Sequence, residues 1–255
     1  MRQIVPKIMI VAVMLGLAEF GWATTAPDQS NTKSMTVAQL EAAGDAARAQ
    51  KDYAQAIEYF KMAVQKDRKN AHLYNKLGLA ELKNNETTAA RIDFEKATKL
   101  NKRYSDAFNN IGAIYYLQRD YDKAAKYFKK AAALEETRAT FHVNLGAAWF
   151  GQKKMEQAVT EYSRALELDP NALTQTSKAG VAAQITSPEE RAKYSYMMAQ
   201  IYAKRGDVEH CLECLKNAKD EGYRDMANVY KDEQFSRVWQ DGRLHQLVPP
   251  PDTSR

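Results

Sequence analysis

Glycine stands at Gly44, Gly78, Gly112 and Gly146, each 34 residues after the last, and three further positions keep the same step. Ala56, Ala90, Ala124 and Ala158 form one series, and Ala63, Ala97, Ala131 and Ala165 a second. Phe60, Phe94, Phe128 and Tyr162 form the third. A period of this length marks one small supersecondary unit copied along the chain. No copy can bury its apolar face alone, so neighbours must stack. The prolines decide the element type. They are Pro6, Pro27, Pro170, Pro188, Pro249, Pro250 and Pro251, which leaves residues 28–169 with none. Proline blocks helix interiors and favours turns, so a run this long without it is built easily from linked helices and hardly from strands.

Each copy accommodates two helices, in the third copy 105–117 and 121–134 around Gln118, Arg119 and Asp120. Phe108, Ile111, Gly112 and Tyr115 fall at i, i+3, i+4 and i+7 on one face of the first helix. Ala124, Phe128 and Ala131 share a face of the second. Gly112 and Ala124 let two backbones approach, Phe128 fills the space beside them, and Ala131 leaves room for the next copy.

These residues resemble the tetratricopeptide repeat (TPR) family in all four copies: 37–70, 71–104, 105–138 and 139–172. Pro170 alone matches the family's closing proline; Arg68, Lys102 and Glu136 stand there in the other copies. Ala43 and Ala47 replace the usual Leu and Tyr of the first copy, which fits an N-terminal cap. The resemblance implies an all-α fold, a right-handed TPR α-solenoid of antiparallel helix pairs with a C-terminal helical cap. The 34-residue step breaks at 173–191, read as an insertion, and resumes over 192–225 as a fifth TPR-like repeat. Ser187, Pro188 and Glu190 supply N-cap, N1 and N3 of a helix start. Residues 226–248, with Phe235, Val238 and Trp239 toward the last apolar face, are expected as closing helices that include 235–247. Residues 249–255 form a tail.

The amino terminus is an address. Arg2 and Lys7 precede an eleven-residue apolar run, Ile8 to Ala18, and Gly21 and Ala23 stand at −3 and −1 of a cleavage site. This is the pattern of a secretory signal over 1–23. As a helix the run spans about 16 Å, roughly half a bilayer core. The expected protein is exported, periplasmic or secreted, with no stable membrane insertion after cleavage and a flexible linker at 24–36.

Chemistry is sparse. Cys211 and Cys214 form a C-x-x-C, but Cys211 takes a small packing position of the fifth repeat, and an i, i+3 pair within one helix is poorly placed to bridge. A metal would need two more ligands, and His210 points elsewhere on the helix. His142 occupies the place of Phe108 and reads as a core or rim histidine. No Gly-rich phosphate loop, H-E-x-x-H or nucleophile elbow occurs. We expect no enzyme, cofactor or metal. The formal charge of +5, and basic runs such as 99–103 and 126–130, need no nucleic acid, because cations favour the C-terminal ends of helices.

The sharper signal is a second stripe on each first helix at i, i+3, i+7 and i+10. It holds His72, Asn75, Leu79 and Leu82; then Asp106, Asn109, Ala113 and Tyr116; then Thr140, Val143, Ala147 and Phe150. In TPR proteins this stripe lines the concave groove, so the resemblance places these residues there. A solvated face should be charged, and this one is largely apolar, which marks a binding surface or one covered by the chain itself. Asn75, Asn109, Asn110 and Asn144 offer amides that can both donate to and accept from an extended backbone. The family's carboxylate clamp requires Lys and Arg where this chain has Asn75, Thr140 and Asn144, or Glu41 and Asp106. That chaperone function is therefore not implied. The expected function is a non-enzymatic envelope scaffold binding a peptide or protein segment through Asn75, Leu79, Leu82, Asn109, Asn110, Tyr116, Val143, Asn144 and Phe150. The alternatives are a thiol-active protein using Cys211 and Cys214, or a structural spacer.

Overall fold

A computed structural model describes residues 32, 34–173 and 187–251. The chain divides into two units, residues 1–35 and 36–255, and the helical array belongs to the second. The leader at 1–23, most of the insertion (174–186) and the end of the tail (252–255) lie outside the described residues.

Four helix pairs follow one another: α1 (Val37–Ala49) and α2 (Tyr53–Lys66), α3 (Ala71–Lys83) and α4 (Thr87–Leu100), α5 (Ser105–Leu117) and α6 (Tyr121–Leu134), α7 (Ala139–Gly151) and α8 (Met155–Leu168). A fifth pair, α9 (Pro188–Arg205) and α10 (Val208–Asp220), precedes two 3-10 turns at Met226–Tyr230 and Glu233–Phe235 and the short α11 (Gly242–Leu247). No strand occurs among the described residues. The third copy's helices fall where the apolar spacing places them.

The turn inside each pair repeats to the atom. Lys51, Asn85, Arg119 and Lys153 take φ of 63°, 65°, 59° and 61°, and Gly206 takes 79° at the same place in the fifth pair. Each is the left-handed residue that ends the first helix. The next residue's N–H then closes on a carbonyl five residues back, as Asp120 does on Tyr115 at 2.9 Å and Asp207 on Tyr202 at 2.9 Å.

The glycine series has one job. A Cβ on Gly44, Gly78 or Gly112 would stand 2.6, 2.7 or 2.6 Å from the ring of Phe60, Phe94 or Phe128. The second helix thus presses an aromatic face directly on the first helix's backbone. At Gly146 the ring of Tyr162 stays 3.1 Å from such a Cβ.

The fifth pair is not a fifth step. Four-residue turns join the regular copies, whereas α9 follows a much longer connection and runs the other way. Near its start, the Tyr194 ring lies edge-on to Phe150 at 5.5 Å, at the end of α7, and to Tyr162 at 5.8 Å. At its far end, Arg205 Nη2 donates to the Leu166 carbonyl at 3.3 Å, near the end of α8. The two C-terminal ends adjoin, so α9 runs parallel to α8, where a regular first helix would run antiparallel. Period alone carries no direction, and the connection at 169–187 is long enough to turn the chain over. The first turn of α9 also reclaims residues 188–191 from the expected insertion.

Of the closing helices expected over 226–248, α11 (Gly242–Leu247) forms at the end of the expected 235–247 stretch, and 3-10 turns and bends take the residues before it. Phe235 and Val238 are fully buried there. Trp239 Nε1 donates back to the Val229 carbonyl at 2.7 Å. Tyr196 stacks on Tyr223 at 4.3 Å, and Gln200 donates to Asp232 at 2.6 Å, which ties this segment to α9.

One buried acid stands out. Glu81 is 3% exposed, and among the described residues its Oε2 has no hydrogen-bond partner. Burial, then the Asp93 carboxylate, push its pKa up to about 8. Between about pH 5 and 8 the folded chain therefore holds a proton that the unfolded chain has lost, so stability falls as pH rises. In urea unfolding at a series of pH values, Glu81→Gln should remove most of that decline. An unchanged slope would show Glu81 to be ionised at neutral pH. The glycine contacts are tested in the same assay. Alanine gains about 1 kcal/mol over glycine within a helix, against an overpacking cost of about 1–3 kcal/mol. Gly112→Ala should lower the urea midpoint, and Gly146→Ala should leave it nearly unchanged.

Candidate binding face

The second stripes lie on α3, α5 and α7, and asparagine bonds join these three helices. Asn110 Nδ2 donates to Asn75 Oδ1 at 3.0 Å, and Asn144 Nδ2 donates to Asn109 Oδ1 at 2.8 Å. Each bond joins residues 35 apart, the repeat period plus one, so on α5 Asn110 reaches back to α3 while Asn109 meets α7. Among the described residues no further partner engages the Asn109 NH2 or the carbonyl oxygens of Asn110 and Asn144. Asn75 and Asn144 are buried, and Asn109 and Asn110 half-buried. Beside them the Tyr104 hydroxyl meets His72 Nδ1 at 2.9 Å. Burial, then the Asp106 carboxylate, raise the Tyr104 phenol above its ordinary value.

The charges on this face are internally matched. Lys76 Nζ donates to Glu41 at 2.6 Å and to Asp45. Burial pulls the Lys76 ammonium down, but the two carboxylates outweigh it and leave its pKa raised. Asp106 pairs with Arg138, which reaches Glu135 at 2.7 Å. The face therefore offers amides with little net charge.

Its apolar part differs from the expectation. Val143 is 0%, Tyr116 5% and Phe150 7% exposed. They are not open groove residues. All three join the core cluster that includes α9, whose Tyr194 covers Phe150. A charged substitution there would test folding and not binding. Leu79 and Leu82 are half-buried against Phe94 and Ile111. The accessible stripe is thus shorter than the sequence suggests, and lies over α3 and α5. The amide pairing itself was readable as a 35-residue spacing between asparagines.

Away from this face, His142 bonds Glu161 through Nδ1 at 2.7 Å and the Glu136 carbonyl through Nε2 at 3.1 Å, a satisfied rim histidine. Cys211 is fully buried and Cys214 half-buried, both as free thiols. Burial pushes each thiol up to about 12, helped at Cys211 by Asp207 and at Cys214 first by Cys211. The thiolate is the reactive form, so at pH 8 the native protein should resist iodoacetamide, and both cysteines should label after denaturation. Rapid native labelling, read by intact-mass spectrometry, would restore a thiol chemistry.

Comparison with known proteins gives four matches to the tetratricopeptide repeat, over residues 38–71, 71–104, 105–137 and 139–172. Similar solved structures share the fold at low identity. PilF of Pseudomonas aeruginosa is 19% identical, with TM-score 0.54, over 84% of this chain and 92% of that one. MamA (41-end) of Desulfovibrio magneticus RS-1 is 17% identical, with TM-score 0.53, over 74% and 97%. YrrB, described as a TPR protein with an unusual peptide-binding site, is 18% identical, with TM-score 0.50, over 76% and 90%. No curated protein matches the chain. No helix among the described residues is long and apolar enough to cross a membrane.

Proposed function

The chain belongs to the tetratricopeptide repeat family, a family of protein–protein interaction scaffolds, and we propose that its partner is an extended protein segment laid across the amide row of α3, α5 and α7. The observation that carries this reading is the row itself. Asn75, Asn109, Asn110 and Asn144 hold one another in fixed orientation and leave an amide NH2 and two carbonyls for a further backbone. An extended chain repeats its own N–H and C=O groups along its length, and amides held in advance lose little freedom on meeting them. Leu79 and Leu82 supply apolar contact beside the row. The peptide-binding site named for YrrB, a similar fold, agrees with this use of the scaffold.

We further read the protein as exported, with 1–23 as its secretory leader. No catalytic step belongs to this function. The buried, proton-bound thiols weigh against the thiol-active alternative. A spacer needs no polar row on its inner face.

A peptide array or crosslinked pull-down with the wild type, Asn109→Ala and Leu82→Lys tests the face. Each variant should retain its helical circular dichroism. Each should weaken capture about tenfold, the equivalent of about 1.4 kcal/mol. Equal capture by all three would place the partner elsewhere.

A further inference from the structure

The positive charge of the chain is concentrated in one stretch. Residues 96–134 hold nine Lys and Arg against three Asp and no Glu, an excess of six, while the whole chain carries a formal +5. Most of these cations face outward from the second helices. On α4, Ile92, Lys96 and Lys99 fall at i, i+4 and i+7; on α6, Lys126, Lys129 and Lys130 fall at i, i+3 and i+4, and all six are exposed. The turn after α4 adds Lys102 and Arg103, also exposed. Tyr127 of α6 packs against the cluster of Ala90 and Phe94 from α4 with Ile111 and Ile114 from α5, which brings the two second helices to one surface.

Neither the repeat nor the helix asks for this charge. One period later, the places of Lys126 and Lys129 hold Thr160 and Ser163. A helix dipole favours cations within the last turn, but the last turn of α6 contains none. Lys126 also stands i, i+3 from Lys129 and i, i+4 from Lys130, spacings at which like charges repel. Among the described residues no carboxylate pairs with Lys96, Lys99, Lys126, Lys129 or Lys130. The nearest acids are engaged by other cations, Glu95 by Arg91 and Asp120 by Lys123, each at 2.6 Å. Lys96 lies over the Tyr74 ring at 5.9 Å and Lys130 over the Phe108 ring at 3.9 Å, so the array carries these ammoniums on aromatic rings instead of opposing them with acids.

We propose that the outer surface of α4 and α6 docks on an anionic lipid surface, with its lysines among the headgroups and Ile92 at the boundary with the acyl chains. Charge complementarity draws a lysine cluster of this size to such a surface. Two observations favour lipid over an acidic protein. The helical cations are all lysines, point charges on flexible stems that suit anions free to move sideways, where a fixed carboxylate array suits the guanidinium fork. Ile92, in the middle of the patch, is the most exposed large apolar side chain among the described residues, at 56%. An apolar group beside cations is the pattern that enters a membrane interface. The contact is peripheral, since no described helix is long and apolar enough to cross a membrane. The patch lies on second helices and the amide row on first helices, so this inference stands apart from the groove.

The test sediments the full chain with vesicles of phosphatidylcholine alone, and of phosphatidylcholine with phosphatidylglycerol in equal parts. The chain should bind the mixed vesicles more tightly. Raising the salt from about 0.1 M to about 1 M, which shortens the screening length from about 10 Å to about 3 Å, should release that excess. Lys126→Gln with Lys129→Gln and Lys130→Gln should weaken binding to the mixed vesicles about fivefold for each lysine, and so about a hundredfold together. Lys83→Gln with Lys204→Gln and Lys216→Gln removes equal charge elsewhere and should stay within about twofold of the wild type. Ile92→Gln should weaken binding about threefold and leave its salt dependence unchanged. The apolar run at 8–18 is common to every variant, so differences between variants report on this surface. Equal binding to both vesicles, equal loss in the two triple variants, or unchanged affinity in Ile92→Gln would overturn the proposal. Capture by immobilised polyglutamate without binding to the mixed vesicles would overturn it too, and assign the surface to an acidic protein.

Discussion

Everything in the regular array depends on the contact between a glycine backbone and an aromatic ring inside each pair. Gly44, Gly78 and Gly112 admit Phe60, Phe94 and Phe128 to a distance that a methyl group would forbid. That contact fixes how closely the two helices approach. It also fixes where the second helix leaves its apolar edge for the next copy, at Ala63, Ala97 and Ala131, all fully buried. The inner face inherits its regularity from this spacing. The Asn110–Asn75 and Asn144–Asn109 bonds recur at one offset because consecutive first helices stand in the same relation.

The fourth copy is where that regularity relaxes. Tyr162 replaces phenylalanine, and its ring stands farther from Gly146. The ring meets Tyr194 of α9, and Phe150 meets the same tyrosine from the end of α7. The aromatic residues that would have lined a longer groove are thus spent on seating a helix of opposite direction. A regular stack can be extended indefinitely in principle. A reversed pair, closed by the turns that hold Phe235 and Val238, ends it.

The sequence was most legible where geometry repeats. Four aligned positions mark the helix pairs, their faces and their turns, since each copy samples the same local physics again. It was least legible where one contact had to be known in three dimensions. Cys211, Leu215 and Ala218 keep the repeat spacing and are buried as a repeat requires, yet they say nothing about which way their pair enters the stack. Direction is set by Arg205 at Leu166 and Tyr194 at Phe150, contacts 39 and 44 residues apart with no periodic counterpart. Spacing likewise puts Tyr116, Val143 and Phe150 on the groove side but carries no sign of their burial. A stripe can be assigned to a face from spacing, but whether another helix lies on that face depends on the chain beyond it. The left-handed turn residues show the reverse case. Lys51, Asn85, Arg119 and Lys153 stand in strict register in the sequence, but nothing in their chemistry announces a left-handed backbone until the neighbouring hydrogen bonds are drawn.

The inner face owes its order to the repeat and its limit to the departure from it. The amide row has matched charges around it, with Lys76 held by Glu41 and Asp45, and Asp106 by Arg138. Any array with asparagines at the same offset would carry such a row. The reversed α9 closes the face at its far end, because its Tyr194 lies on Phe150, and Tyr116 and Val143 are buried in the core that α9 shares with α7 and α8. The length of the open stripe is therefore set by the helix that departs from the repeat, and not by the number of repeats.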